Sequence, residues 1–137
     1  MNGERGRGGR GVSPRSSAVC LAFLALCVGS LAHAQKATEQ YIPIGKSPGM
    51  SQKYTSLGTI DSVSVRQRTV TIVEPNARRT VSITDKTNIW LDRSKLKLPN
   101  LRGGFADLQK GRRVEVKYLD PESRQVAEWV KVEMTTP

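Results

Sequence analysis

From Leu57 onward, apolar and mostly β-branched side chains recur at every second position, in short runs punctuated by glycine, proline and asparagine. That is the period of a strand with one face in a core, whereas a helix would need spacings of three and four. Leu57–Val65 is the first run, with Gly58 placed where a strand bends or another backbone comes close. Thr69–Val73 puts Val70 and Ile72 on one face, and Arg79–Thr84 does the same with Val81 and Ile83. Pro75 and Asn76 mark the turn between them. Thr87–Leu91 predicts a fourth short element, either an edge strand or a continuation of the third. A long loop over Asp92–Gly104 follows, and Phe105–Gly111 reads as one helical turn ended by glycine. Arg112–Leu119 directs Val114, Val116 and Tyr118 one way. Gln125–Val132 directs Ala127, Val130 and Val132 inward, which requires a bulge near Trp129. Three meandering strands, a loop with a helical turn and a closing hairpin follow the order of an OB-type barrel. The expected fold is therefore all-β: a small five-stranded OB-like barrel over residues 57–134, with one short helical turn.

The first 34 residues have a different character. Arg5, Arg7, Arg10 and Arg15 face only Glu4, the apolar run Ala18–Val28 follows, and Ala32-His33-Ala34 comes next. A basic start, a short apolar stretch and an A-x-A site are the three parts of a secretory signal peptide, here cut after Ala34. The apolar run falls short of the about 20 residues that span a bilayer. No transmembrane segment is expected after cleavage, and the expected location is the periplasm or the medium. Residues 35–56 are polar, carry Pro43, Gly45, Pro48 and Gly49, and show no sustained period. They are expected to form a flexible leader, with Tyr41–Ile44 as its one apolar cluster able to dock on the domain.

The only histidine, His33, and both cysteines, Cys20 and Cys27, lie inside the signal. The mature chain thus has no disulfide and no Cys–His or Ser–His–Asp nucleophile system. Zinc has no preferred ligand there. Carboxylate pairs remain, Asp85 with Asp92 or Asp120 with Glu122, but the Asp120–Ser123 stretch reads as a turn in which Asp caps backbone N–H groups. No catalytic residue, cofactor or metal is expected.

The run Gly58-Thr-Ile-Asp-Ser-Val63, the strands Thr69-Val-Thr-Ile72 and Val81–Ile89, and the turn Ala106-Asp-Leu-Gln-Lys-Gly111 resemble a family of small exported bacterial OB-like β-barrels of unknown function. The resemblance covers about Leu57–Glu133. It implies a periplasmic or secreted barrel and names no catalytic residue. The chain is more distantly similar to periplasmic copper-carrying OB-like barrels, which rely on a His and on Met residues beside a Trp. Here the mature chain lacks His, and Met50 and Met134 lie in the leader and near the C-terminus, so copper carriage is not expected.

The least ordinary feature left is charge. The chain has 22 Lys and Arg against 12 Asp and Glu, a formal net charge of +10. Removal of four arginines and one glutamate with the signal lowers this by three. Arg66, Arg68, Arg78 and Arg79 fall at strand ends, and Lys95, Lys97 and Arg102 fall in the long loop, near Trp90 as a stacking surface. These eight are the candidate ligand-binding residues, expected to share one rim if they act together. A solvated basic surface is the plainer alternative. The expected function is that of a monomeric binding or interaction module for an envelope component, either a protein or an anionic ligand. An electrostatic binder of a polyanion (anionic glycan, nucleic acid or phospholipid headgroup) is the first alternative. A minimal carboxylate-based enzyme is the second. Intact mass of protein exported by its native host should correspond to a chain that begins at Gln35; recovery of residues 1–34 in the membrane-bound protein would contradict the cleavage.

Overall fold

A computed structural model describes residues 38–137 together with Gly9 and Gly11. The expected signal peptide, residues 1–34, lies otherwise outside the described residues. Among the described residues there are seven strands: β1 Thr55–Ser64, β2 Thr69–Val73, β3 Arg78–Ser82, β4 Asn88–Asp92, β5 Leu101–Arg102, β6 Arg113–Tyr118 and β7 Ala127–Glu133. They form one sheet in the order β3-β2-β1-β6-β7-β4-β5. All neighbours are antiparallel except β4 and β7, which run parallel. Ser82, at the end of β3, makes a parallel bridge to Val126, just before β7. The sheet thus returns on itself, and the protein is an all-β, OB-like barrel.

Five strands were expected and seven are found, for two local reasons. The third strand is broken between β3 and β4, where the chain turns at Asp85 and Lys86. Thr87 fixes that break: its Oγ1 accepts the Thr84 N–H at 3.0 Å and donates to the Ala127 carbonyl at 2.8 Å. Leu101–Arg102, expected as loop, adds a two-residue strand alongside β4. With β3 and β4 taken as one bent strand and β5 as an addition, five long strands make the barrel. The expected helical turn is a 3-10 turn, Phe105–Asp107, closed by the Asp107 carboxylate, which accepts the Gly104 N–H at 2.8 Å. Leu108 then drops into the core.

Val70, Ile72, Val81, Ile83, Val114, Val116, Val130 and Val132 are all buried in one cluster with Ile60, Ile89, Tyr118 and Ala127. The β7 bulge falls at Glu128, where the register against β6 shifts so that Lys117 opposes Trp129 and Tyr118 opposes Ala127. That shift lets Ala127 and Val130 both face the core. Gly58 is required because a Cβ there would lie 2.5 Å from the Val73 carbonyl oxygen.

From residue 38 onward the segment expected as a flexible leader is instead folded across the outer face of the sheet; residues 35–37 lie outside the described residues. Residues 39–41 form a 3-10 turn, and the chain from there to Tyr54 makes hydrogen bonds to β1, β4, β6 and β7. The Ile44 N–H donates to Asp92 Oδ2 at 2.7 Å, and the Gly45 N–H donates to Glu115 Oε2 at 2.8 Å. Gly45 takes a left-handed φ of 76° to make this turn, a conformation that costs glycine little. Glu115 Oε1 also accepts the hydroxyls of Ser51 and Thr55. Lys131 is 0% exposed and donates to Glu39 Oε2 at 3.0 Å and to Ser47 Oγ at 3.1 Å. The reason is electrostatic: a charge held away from water must be paired and hydrogen-bonded. Strands β6 and β7 place Glu115 and Lys131 side by side on the outer face, and this strap supplies their partners. Among the described residues no buried side-chain nitrogen or oxygen lacks one.

Ile72→Ala should lower unfolding free energy by about 2–5 kcal/mol, because it deletes fully buried methyl groups and leaves a cavity. Val65→Ala, at an exposed turn position, should change it by about 0.5 kcal/mol or less. Chemical denaturation with an unchanged slope checks both.

Candidate functional site

Strand β1 is longer than its neighbour, and a cleft results. Thr59 is the last β1 residue paired with β2, opposite Val73, while Thr55 to Gly58 continue along β6. Strand β2 stops at Val73 because the chain turns at once: the Glu74 N–H donates to the Ala77 carbonyl at 2.8 Å, and Pro75 has no N–H for a ladder. The space beside the overhanging end of β1 is a cleft of about 720 Å³. Its walls include Leu57, Thr59, Glu74, Arg79, Arg113 and Arg124.

Each of the three arginines is placed differently. Arg79 lies on β3 and its Nε donates to Glu74 Oε2 at 2.6 Å. Arg113 opens β6, opposite Thr59 in register. Arg124 sits in the β6–β7 turn with φ 51°. Its Nε donates to the Pro121 carbonyl at 3.0 Å, and its guanidinium stands 5.9 Å from the centre of the Tyr118 ring. Among the described residues no carboxylate pairs with Arg113 or Arg124, and Glu74 is the one carboxylate in the cleft wall. The Tyr118 hydroxyl donates to Ser56 Oγ at 2.8 Å. Burial raises its pKa above the usual tyrosine value, with Glu74 adding to the rise; the Ser56 bond and the nearby Arg79 and Arg124 oppose it.

The eight residues singled out from sequence do not share one rim. Arg66 and Arg68 occupy the β1–β2 turn, and Arg78 and Arg79 begin β3, so the two pairs lie at opposite ends of β2. A meander sends successive turns to opposite ends, and this overrides the expected convergence. Several of these cations already have partners. Arg68 reaches Asp85 at 3.4 Å and lies 5.2 Å from the centre of the Phe105 ring. Arg78 pairs with Asp61, and Lys95 pairs with Glu133 at 2.5 Å. Arg66, Lys97 and Arg102 are exposed. Trp90 is not an open stacking surface: it is 6% exposed, and its ring centre lies 5.6 Å from that of Trp129. Sequence reasoning missed the cleft role of Arg113 and Arg124. Their signal was a basic residue at the start of one closing strand and another in the turn between the two.

Three of the four carboxylates in the candidate pairs, Asp85, Asp92 and Asp120, are engaged by local partners. Asp85 and Asp92 flank the two ends of β4. Asp92 is committed to the Ile44 and Ser94 N–H groups. Asp120 accepts the Glu122 N–H at 3.0 Å, and its pKa is lowered by that bond and by Ser123. Among the described residues no group of three or more His, Cys, Asp or Glu side chains is arranged to hold a metal ion.

No family model matches the chain, and no curated protein matches it either. Solved structures do. The silver(I) form of CusF is 14% identical, with 57% of this chain and 93% of that chain covered at a TM-score of 0.39. A Cu(II) form of a tryptophan-to-alanine variant of CusF from Escherichia coli is 12% identical, covering 59% and 91% at 0.42. Metal-free CusF from the same organism is 13% identical, covering 64% and 100% at 0.39. The likeness is faint and carries no argument about ligand.

Tyr118 generates a pH prediction. Its folded pKa lies above its unfolded value, so the unfolded state loses the proton first as pH rises. The stabilisation from Tyr118 is complete below about pH 10 and is lost above it. Unfolding free energy measured across pH 9–11 should fall less steeply in Tyr118→Phe than in the parent protein.

Proposed function

We propose that the chain is an exported, non-catalytic binding module of the barrel family its strands and turns resemble, and that its cleft takes an anionic group of another envelope component. The signal-like first 34 residues support export. Among the described residues no helix is long and apolar enough to cross a membrane. One observation carries the ligand reading: three guanidinium groups and one carboxylate surround an open cleft about 720 Å³ in volume. Guanidinium is always charged and matches carboxylate, phosphate or sulfate oxygens with paired donors. The non-catalytic reading rests on Glu74, which is tied to Arg79 and, among the described residues, has no second cleft carboxylate to share acid–base work with.

The test is a titration with two labelled probes, a sulfated oligosaccharide and a short polyglutamate peptide, at low and moderate salt. At least one should bind at low salt and weaken as salt screens the exposed charges. The double change Arg113→Glu and Arg124→Glu should reduce that binding by 10-fold or more. Arg66→Glu with Lys97→Glu, which removes the same charge elsewhere, should leave most of it. Absence of binding by both probes at low salt, or equal loss in the two double variants, would overturn the reading.

A further inference from the structure

The cleft also contains an unpaired length of sheet edge. Ile60 directs both its backbone groups at the β6 side: its N–H donates to the Arg112 carbonyl at 2.9 Å, and its carbonyl accepts the Gly111 N–H at 2.7 Å. Backbone groups of successive strand residues alternate between the two sides in the sheet plane. The β1–β6 register is regular from Thr55 to Thr59, so Gly58 and Ser56 also bond to β6. Thr59 and Leu57 therefore point the other way. Thr59 meets Val73 on β2. Leu57 looks past the end of β2 into the cleft.

We propose that this edge receives an extended acidic peptide, which adds a strand to β1 in line with β2. The inference rests on the anionic-cleft reading and names the class of ligand. Strand addition draws affinity from main-chain hydrogen bonds and specificity from side-chain contacts along the strand. Here the cleft wall that Leu57 shares is cationic, with Arg79, Arg113 and Arg124. Arg113 stands opposite Thr59, while Arg124 lies over Tyr118, whose hydroxyl reaches Ser56. Those two points on β1 are three residues apart, roughly 10 Å at strand rise. Acidic side chains spaced along an extended peptide match that separation. Exposed edges are ordinarily blunted by an inward charge, a proline or a covering loop. At Leu57 the turn of residues 74–77 lines the cleft opposite the edge, and nothing in the β1–β2 ladder pairs with it.

The experiment uses a capped peptide of alternating Glu and Val, with two N-methylated forms that together block every amide, one form for each alternate set. The parent peptide should bind and slow hydrogen exchange of the Leu57 amide. One methylated form should keep parent-like affinity, and the other should lose 10-fold or more, because only one set of N–H groups faces β1. Leu57→Pro, which removes the edge N–H without touching a β6 bond, should lose a similar factor if the barrel stays folded by circular dichroism. The methylated pair decides the matter if it does not. Parent-like binding by both methylated forms, or equal loss in both, overturns strand addition. So does binding of the sulfated oligosaccharide without the peptide, a result that leaves the anionic cleft standing. Failure of every anion removes both readings.

Discussion

The Lys131 ammonium is the group around which the outer half of this molecule is arranged. It sits in the middle of β7 with no exposed surface, 4.6 Å from the centre of the Trp129 ring, and it meets Glu39 and Ser47 from the strap. A lysine so placed without a carboxylate would be a buried, unpaired charge, which is costly. With Glu39 it becomes a buried pair, whose net contribution to stability is small but whose disruption costs about 3–5 kcal/mol. Specificity is the larger consequence: one docked position of the strap satisfies Lys131, Glu115 and Asp92 together.

The docked strap in turn shapes the cleft. Glu115 accepts the Thr55 hydroxyl at 2.9 Å, and Thr55 Oγ1 accepts the Gln52 N–H at the same distance. This fixes where the chain stops being strap and becomes β1. Because that point lies four residues before β2 finds its last partner on β1, the overhang at Leu57 is built in from the outer face. The inner face contributes separately, through the Tyr118–Ser56 bond beneath the same stretch.

Strand positions and core were legible in the sequence because both depend on a period-two pattern with one buried face, whereas the parallel pairing of β4 with β7 was not. Val70, Ile72, Val81 and Ile83 sit in short strands whose alternation is unambiguous, and even the β7 bulge followed from the parity of Ala127 and Val130. The strap was not legible. Glu115, Lys117, Lys131 and Glu133 alternate with valines in the way a solvated face would, and nothing local distinguishes a charged face covered by another segment. The strap has no period of its own because it is held by backbone N–H groups and small hydroxyls. Candidate site residues fared worst. Their grouping depended on which turns lie at which barrel end, and counting cations along the chain placed Arg66 with Arg79 when a meander separates them.

Amide hydrogen exchange at Ile44 and Gly45 tests the central claim most directly. If Lys131 holds the strap, both amides exchange far more slowly than free peptide in the parent protein. In Lys131→Met they should lose most of that protection, while the Ile72 amide in the barrel keeps its own. Free-peptide rates in the parent, or protection unchanged by Lys131→Met, would contradict the account.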